Sequence, residues 1–414
     1  MEHNVGELSR LIKEQVIGSL DFYRDISDRE MYELIDREMT ELLRYRTFSI
    51  EQKKALRTQV FDSIRKLDVL QQLLDDPTIT EIMINGPDCL YLEKDGAIVR
   101  SDLKFESKEK LEDVVQQIVS SCNRVVNEAS PIVDARLPDG SRANVVLSPA
   151  ALNGPVLTIR RFPDKPIDMD RLIELGSISE ELKNFIAVLI RAGYNIFISG
   201  GTGSGKTTFL NALSDFIPKD LRVISIEDNA ELQIRGVPNL VRMEARNANV
   251  EGCRPITIRD LIKSSLRMRP DWIIVGEVRG DECVDMLQAM NTGHMAMSTG
   301  HANSAQDMLS RLETMVLMGM EIPLPAIRGQ IAAGIDIVIH LGRLRDRSRK
   351  VLEVCELEKD PDPVTGKIGI NPLFKFTETG MEDGRIKGEW RKTGELKGTE
   401  KLVAAGLKLP ATAL

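Results

Sequence analysis

Residues 195–210 read Asn-Ile-Phe-Ile-Ser-Gly-Gly-Thr-Gly-Ser-Gly-Lys-Thr-Thr-Phe-Leu, and they decide the fold of the region around them. The apolar run at 196–198 predicts a short buried strand, the glycines predict a loop, and the residues after them predict a helix. This strand–loop–helix context is the one that the phosphate-loop pattern G-x-x-x-x-G-K-[ST] requires. The fixed residues of the pattern are Gly200, Gly205, Lys206 and Thr207.

Each residue type in this loop suits the binding of a nucleoside triphosphate. Glycines let backbone N–H groups surround an anion, and the positive N-terminal end of the following helix adds to the attraction. Lys206 supplies a point charge for the terminal phosphates, and the Thr207 hydroxyl is placed to bind Mg²⁺. A glycine-rich turn that fits the pattern by chance is the alternative. The predicted nucleotide contacts are Gly201, Thr202, Gly203, Ser204, Gly205, Lys206, Thr207 and Thr208.

The chain has 414 residues, which is enough for two or three domains. Its composition is typical of globular domains, and its net charge of −8 gives no overall footprint for nucleic acid. The five cysteines lack any C-x-x-C spacing, which disfavours a zinc site or a disulfide framework and favours a reducing, cytoplasmic setting. No apolar run reaches the roughly 18 residues that cross a bilayer, so we expect any membrane role to be peripheral.

The character of the sequence changes several times along the chain. The first part has apolar residues at helical spacing, including a helix expected from Ser49 to Leu74. The second part has short strands and turns, with a helix expected from Ser107 to about Val126. Pro163 and Pro166 mark a linker. We expect a helical region at 1–76, an α+β domain with an antiparallel sheet at 77–162, a linker at 163–170, a domain of alternating helices and strands at 171–355, and at 356–414 a hairpin that ends near residue 376 and a charged, mobile tail.

The domain at 171–355 is expected to contain a mainly parallel sheet with helices on its faces, because helices and strands alternate along it. Ligands of such sheets bind at the carboxyl ends of the strands. The predicted strands are 195–199, 222–227, 272–276, 295–299 and 335–339.

Two of these strands end in carboxylates. Glu277 follows one of them, and we expect it to be the general base that activates the attacking water. Many phosphate-loop proteins carry at this strand end an Asp that holds Mg²⁺, but Gly276 stands there. We therefore expect the metal's acidic ligand to be Asp228 or its neighbour Glu227, at the end of the other strand. Ordinary solvated acids at strand ends are the alternative.

Two histidines, His294 and His301, fall seven residues apart in one turn-rich segment with flanking glycines. We interpret them as sensors of the γ-phosphate, with structural hydrogen bonding as the alternative. A third ligand is missing from the segment, so we do not expect a metal site there.

Arginines form two groups outside the loop. Arg267 lies on a helix expected at 257–268, and Arg136 and Arg160 belong to a basic group in the second domain. Arginines that reach the γ-phosphate from another domain or subunit often accelerate hydrolysis. Each arginine taken singly also suits a structural role.

Four segments in order resemble the Walker A, Asp box, Walker B and His box of the type II/type IV secretion ATPases. They are residues 200–208, 226–228, 274–279 and 293–301. Three further phrases resemble the CpaF-type ATPases of tight-adherence (Flp) pilus assembly, and these are residues 80–87, 137–142 and 309–319.

This resemblance implies a RecA-like phosphate-loop domain that hydrolyses ATP with Mg²⁺. It also implies a homohexamer, peripheral on the inner face of the cytoplasmic membrane, that acts on an inner-membrane platform protein. We do not expect nucleic acid as a partner, because the net charge is −8. In the family, arginines of the domain before the linker complete the ATP site, and Arg136 and Arg160 stand nearest to their positions. The His box departs from the family pattern, because only Met295 and Ala296 separate His294 from Met297.

Three functions compete at this point. The first is an ATP-hydrolysing motor for pilus assembly or secretion. The second is a conjugation-type ATPase for DNA transfer, which would need a basic surface and is disfavoured by the net charge. The third is a nucleotide-gated scaffold without hydrolysis, which Glu277 disfavours.

Overall fold

The computed structural model describes residues 5–20, 26–44, 48–94, 96–122, 124–137, 139–161, 166–246, 254–360, 362 and 364–410. The chain divides into two compact units, Met1–Asp164 and Lys165–Leu414. Within the described residues, no helix has the length and apolar character that crossing a membrane requires.

The first unit opens with helices whose apolar residues recur at three- and four-residue spacing. These helices are α1 (Val5–Gly18), α2 (Asp28–Leu42), α3 (Ile50–Arg65) and α4 (Val69–Asp75). The first three share a core that includes the fully buried Ile12, Ile35 and Val60. Ser27 and Ser49 begin α2 and α3 with capping boxes, so both helix starts follow from local sequence.

The prediction of a single helix from Ser49 to Leu74 is wrong, because this range forms two helices, α3 and α4, with a break between them. The chain leaves the helix at Lys66, which is extended with φ −122° and ψ −154°, and Asp68 has a φ of 54°. Glycine and proline are both absent from this break, so the residue types carry no signal for it.

An antiparallel sheet forms the rest of the first unit. Its strands are β1 (Ile79–Asn85), β2 (Leu90–Lys94), β3 (Ala97–Arg100), β4 (Ile132–Arg136), β5 (Arg142–Val146) and β6 (Val156–Arg160), in the order β3-β2-β1-β6-β5-β4. Helix α5 (Lys108–Ser121) packs on it through Val115 and Ile118, among others, and ends before the expected Val126. The predicted α+β fold with an antiparallel sheet is confirmed.

The second unit is built on a nine-stranded sheet. Its strands are β7 (Ile196–Gly200), β8 (Val223–Glu227), β9 (Leu240–Glu244), β10 (Trp272–Val275), β11 (Met295–His301), β12 (Ile337–Arg343), β13 (Arg349–Leu357), β14 (Ile370–Glu382) and β15 (Arg385–Lys392). The order is β15-β14-β13-β12-β7-β11-β10-β8-β9, and the six strands from β12 to β9 are parallel.

Helices cover both faces of the parallel part of this sheet. They are α6 (Met169–Glu174), α7 (Glu180–Arg191), α8 (Lys206–Ser214), α9 (Ile258–Ser265), α10 (Glu282–Asn291), α11 (Ala305–Gly319) and α12 (Leu324–Gly334), and α13 (Glu400–Ala405) follows the last strand. Alternate strand residues belong to different cores, since Ile196 and Ile198 pack on one face and Phe197 on the other. Burial on both faces explains why the parallel strands read as continuous apolar runs, and the predicted mainly parallel α/β sheet is confirmed.

Four details of the second unit differ from the sequence expectations. Strand β9 was not predicted. The hairpin expected to end near residue 376 continues to Glu382, and β15 occupies part of the expected charged tail. An edge strand that faces solvent carries charged residues, so its sequence resembles that of a loop. Residues 163–165 of the expected linker lie outside the described residues, and α6 begins at Met169 within the expected linker range.

Candidate nucleotide site

The glycine-rich loop joins the end of β7 to the start of α8. Gly203 and Gly205 have φ values of 72° and 91°, which side-chain-bearing residues adopt only with strain. A Cβ atom at Gly200 would lie 2.6 Å from the Leu341 carbonyl oxygen of β12, so no larger residue fits there. The Ser204 hydroxyl is buried without a hydrogen-bond partner among the described residues. Glycines in this loop are therefore required by backbone geometry as well as by phosphate chemistry.

The eight predicted nucleotide contacts, residues 201–208, lie on this loop and the first turn of α8. Gly201, Thr202 and Gly203 are exposed, and Thr207 and Thr208 are half-buried. The N–H groups of the first helical turn have no helical partner, so this exposed end can bind an anion.

Lys206, the first residue of α8, is only 8% exposed. Its Nζ donates to the carbonyl oxygens of Gly200 and Gly201, at 3.1 and 3.2 Å, and lies 3.2 Å from Nδ1 of His301. Burial lowers the pKa of Lys206, and the nearby Glu277 carboxylate opposes that shift. The lysine is thus held at the loop by weak neutral acceptors that a phosphate could replace.

His301 ends β11, where it is paired in register with Gly200 of β7. Burial lowers the pKa of His301, the Lys206 and Arg279 cations lower it further, and Glu277 opposes them. The ring is therefore neutral at neutral pH. Because Lys206 can only donate, Nδ1 is the acceptor and the ring proton belongs on Nε2.

Glu277 follows β10 in a turn that is held against β11. The Thr299 hydroxyl donates to the Gly276 carbonyl at 2.9 Å, and the Val278 N–H donates to the Thr299 carbonyl at 2.9 Å. These bonds bring Glu277 Oε1 to 2.9 Å from Nε2 of His301. That pair lacks the alignment of a hydrogen bond, and Oε1 has no hydrogen-bond partner among the described residues.

Arg279 joins two of the predicted acids. Its Nη2 donates to Glu277 Oε2 at 2.7 Å and its Nη1 to Asp228 Oδ2 at 3.3 Å. The structure thus pairs the candidate base Glu277 directly with a cation two residues along the chain. Arg279 itself was not among the predicted site residues, because its role depends on the turn that folds it back over Glu277.

Glu227 differs from its neighbour Asp228 in its surroundings. Glu227 is 3% exposed, and its Oε1 accepts the N–H groups of Glu231 and Leu232, both at 2.9 Å. Burial raises the pKa of Glu227 to about 7. A Cβ atom at Gly276 would lie 3.0 Å from the Glu227 Cγ, which gives a packing reason for glycine at that strand end. The more exposed acid at this edge is Asp228.

The structure brings His301 to the loop but not His294. His294 precedes β11 and His301 ends it, so the extended strand separates them by about 23 Å. Nδ1 of His294 lies 3.3 Å from both the Ala289 carbonyl and the Thr292 hydroxyl. The expectation that both histidines touch a γ-phosphate in one site is therefore wrong for His294.

None of the three predicted arginines belongs to the glycine-rich loop of the second unit. Arg267 is in that unit but distant from the loop, and Arg136 and Arg160 are in the first unit. Arg267 follows α9 and is exposed near the amino end of β10, at the opposite sheet edge from the loop. In the first unit, Arg136, Arg142 and Arg160 are direct cross-strand neighbours on β4, β5 and β6. The antiparallel register thus gathers Arg136 and Arg160 into one row, with Arg142 between them.

Two arginines at the loop were missed by the sequence analysis. Arg349 begins β13, and its Nε donates to the Gly203 carbonyl at 2.8 Å. Arg343 ends β12 and is the cross-strand partner of Arg349. The sequence shows only two basic residues on either side of a turn, and nothing local connects them to a loop about 140 residues earlier.

A glycine-rich loop with its lysine at the carboxyl edge of a parallel sheet, next to a strand-end glutamate, defines a phosphate-loop NTPase. Residues 64–386 match the family model described as Type II/IV secretion system protein, and the chain belongs to that family.

Curated relatives carry names from secretion and conjugation. The conjugal transfer protein TrbB of Rhizobium radiobacter is 32% identical over 305 residues, which cover 71% of this chain and 90% of the relative. The type IV secretion system protein VirB11 of Brucella suis biovar 1 is 31% identical over 306 residues, covering 66% of this chain and 84% of the relative.

Solved structures share the fold. The ATPase DotB of Yersinia pseudotuberculosis superposes with a TM-score of 0.54 at 17% identity, over 75% of this chain and 80% of that one. The ATPase DotB of Legionella pneumophila superposes with a TM-score of 0.52 at 21% identity, over 70% of this chain and 80% of that one. The family and the site together make the chain an ATPase of the secretion and conjugation class.

Proposed function

We propose that the chain is an ATP-hydrolysing motor that works as a homohexamer and powers assembly of a type IV (Flp/Tad) pilus or secretion across the inner membrane. The observation that carries this proposal is the line of contacts from Lys206 through His301 to Glu277. A site that only held a nucleotide would need the loop alone. A carboxylate 2.9 Å from a neutral ring that itself contacts the loop lysine suits a site that hydrolyses.

The roles of the residues follow from their contacts. The loop N–H groups bind the phosphate chain, and Lys206 leaves its two carbonyl partners for phosphate oxygens, because charge-assisted bonds are the stronger ones. Glu277 Oε1, which has no hydrogen-bond partner among the described residues, accepts the proton of the attacking water. His301 lies between the loop lysine and Glu277, so that a change at the phosphates reaches the base through this ring.

The donor set at this edge fits Mg²⁺. Thr207 and Asp228 offer hard oxygen donors, which this ion prefers, and Mg²⁺ usually retains waters and substrate phosphates as its other ligands. The described residues contain no group of three or more His, Cys, Asp or Glu able to hold a metal ion, which agrees with a site completed by substrate. When bound, the ion would neutralise charge on the phosphates.

Arginines from a neighbouring subunit complete this proposed site. The row of Arg136, Arg142 and Arg160 supports it, because three guanidinium groups on neighbouring strands lie side by side on one sheet. A guanidinium that arrives only in the assembled ring would couple hydrolysis to assembly.

The pilus branch of the proposal is supported by the phrases at 80–87, 137–142 and 309–319, which resemble CpaF-type ATPases. The partner is then an inner-membrane platform protein, and the motor is peripheral on the cytoplasmic side. A conjugation-type ATPase for DNA transfer is the second candidate, favoured by the name of the TrbB relative. It requires DNA binding that weakens steeply with salt, and binding of duplex or single-stranded DNA at 50 and 200 mM salt separates the two.

The experiment that tests the motor is ATP hydrolysis per subunit as a function of protein concentration, with the Glu277→Gln chain as the blank. A rate per subunit that rises and then levels supports a site completed between subunits. A rate equal to that of the blank at every concentration contradicts the motor proposal.

A further inference from the structure

Strand β12 continues past the end of β7 and runs alongside the phosphate loop. Leu341 is paired in register with Gly200, the last residue of β7, and β12 extends two residues further, to Arg343. Two strand residues span about 7 Å, which carries Arg343 over the loop. Arg349 on β13 is its direct cross-strand partner, so the two side chains leave the same face of the sheet.

Both arginines approach the glycines of positive φ. Arg349 Nε donates to the Gly203 carbonyl at 2.8 Å, and its Cδ lies 3.4 Å from where a Cβ of Gly205 would be. An Nη atom of Arg343 lies 3.9 Å from where a Cβ of Gly203 would be. The open space above these glycines is thus bounded by two guanidinium groups.

The charges of this pair are not balanced locally. Among the described residues, neither Arg343 nor Arg349 forms an ion pair, and both are exposed. Two like charges directly opposite each other on neighbouring strands are unfavourable. An anion placed between them and the loop would relieve that repulsion. The buried Ser204 hydroxyl, which has no partner among the described residues, lies in the same loop.

We infer that Arg343 binds the phosphate chain of the nucleotide held by the loop of its own subunit. Arg349 is a positioning residue, because it holds the Gly203 carbonyl outward and so leaves the loop N–H groups for phosphate. This inference rests on the proposed nucleotide site, and it adds a cation supplied in cis to the arginines expected from a neighbour.

The turn that carries the pair is anchored to the C-terminal hairpin of β14 and β15. Arg345 pairs with Glu378 of β14 through two guanidinium nitrogens. Asp346 accepts the Ile386 N–H of β15 at 2.7 Å and the Ser348 N–H at 3.0 Å. The hairpin therefore fixes where Arg343 and Arg349 stand, although it lies three strands from β7.

Binding of fluorescent N-methylanthraniloyl-ADP tests the role of Arg343. We expect Arg343→Gln to raise Kd about tenfold or more, because a charge-assisted bond is lost, and Arg343→Lys to restore part of it. Arg191→Gln makes the same charge change at the end of α7, next to the amino end of β7, and should bind like wild type. A Kd for Arg343→Gln within twofold of wild type, with melting temperature retained, overturns the inference.

Competition by unlabelled adenosine and ADP identifies the group contacted. In Arg343→Gln, ADP should lose affinity while adenosine keeps it, and an equal loss for both would place Arg343 on the nucleoside and overturn the inference. Lys206→Ala separates the two proposals. If the Lys206→Ala chain binds nucleotide like wild type, the proposed nucleotide site is wrong. If Lys206→Ala loses nucleotide binding while Arg343→Gln binds like wild type, only the inference about Arg343 is overturned.

Mixing separates action in cis from action in trans. At an ATP concentration below the Kd of Arg343→Gln, a mixture of Arg343→Gln and Glu277→Gln subunits should hydrolyse no faster than the mean of the two chains measured separately, because no subunit then has both groups. A rate above that mean would overturn the cis assignment. For Arg349, we expect Arg349→Lys to lower kcat/KM, since lysine lacks the Nε donor that bonds the Gly203 carbonyl. A wild-type kcat/KM in Arg349→Lys would show that only the charge of Arg349 matters and would overturn the positioning role.

Discussion

Nζ of Lys206, at the start of α8, lies 3.2 Å from Nδ1 of His301, at the end of β11. The other nitrogen of the same ring faces Glu277 at 2.9 Å. A phosphate that draws Lys206 away from the loop carbonyls therefore also changes what His301 bonds to, and the change reaches the candidate base. Under the proposed function, this ring links the nucleotide state to the candidate base.

The first prediction concerns the candidate base. Glu277→Gln keeps the shape of the side chain and its bond from Arg279 but removes the carboxylate that accepts a proton. We expect ATP hydrolysis to fall by about 100-fold or more, in line with the usual contribution of a general base, while ATP still binds. Steady-state hydrolysis and nucleotide binding, measured on the same preparation, check both parts.

Glu321→Gln is the matched control for that change, because Glu321 is exposed in the segment between α11 and α12. It should hydrolyse ATP at the wild-type rate. Wild-type hydrolysis by the Glu277→Gln chain would assign the base to another residue.

The second prediction concerns the ionisation of His301. Burial and two neighbouring cations lower its pKa, so its ring should titrate below the ordinary value of about 6.5 and remain neutral at pH 7. Titration of histidine ring signals by NMR, assigned with a His301→Gln chain, measures this directly. A His301 pKa above 6.5 would contradict the lowering of its pKa by burial and by neighbouring cations.

The third prediction contrasts the two histidines of one strand. His301→Ala should lower turnover about tenfold or more with little effect on nucleotide binding, because the link between Lys206 and Glu277 is lost. His294→Ala, at the far end of β11, should leave turnover close to wild type. Equal loss in the two variants would mean that β11 as a whole, and not the ring at the loop, is needed.

The loop and the acidic strand ends were predictable because phosphate binding restricts residue types at short, fixed spacing. The central strands were predictable because burial on both faces produces continuous apolar runs. Register between distant strands leaves no such local mark. Arg349 and Gly203 are 146 residues apart, and only the antiparallel return of β13 brings them together.

The histidine pair shows a different limit. The sequence predicted a strand at 295–299 between the two histidines, but the shared role was assigned from their spacing and the flanking glycines without allowing for the length of that strand. In the structure β11 runs from Met295 to His301 and separates His294 from His301. Strand β15 was missed because its solvent-facing charges resemble those of a loop, and the break at Lys66 carries neither glycine nor proline.

The fourth prediction concerns the buried acid Glu227, whose pKa is raised from 4.5 to about 7. The folded state holds this proton more tightly than the unfolded state, so the stabilisation is full below pH 4.5 and is lost as pH rises through about 7. Glu227→Gln removes this dependence and keeps an acceptor for the two N–H groups. Between pH 5.5 and 8, the wild-type free energy of unfolding should fall by about 2 kcal/mol more than that of the variant. Urea unfolding at both pH values measures it, and parallel pH dependences would exclude a raised pKa.

The last prediction concerns arginines supplied by a neighbouring subunit. Arg136→Ala/Arg160→Ala removes two members of the arginine row, and we expect this chain to lose most of its hydrolysis, as the Glu277→Gln chain does. If the row acts on a neighbour's nucleotide, mixing the two inactive chains creates some sites with an intact Glu277 from one subunit and intact arginines from the other.

Hydrolysis should therefore reappear on mixing, up to about a quarter of the wild-type rate for equal, random assembly in which each site needs one intact partner of each kind. A chain carrying all three substitutions, mixed with either inactive chain, is the control and should show no recovery. Mixed rings that remain inactive, although each chain still assembles, would mean that Arg136 and Arg160 act within their own subunit or only support its sheet. If hydrolysis reappears in this mixture but not in the mixture of Arg343→Gln and Glu277→Gln chains, Arg136 and Arg160 act on a neighbour's nucleotide and Arg343 acts on the nucleotide of its own subunit.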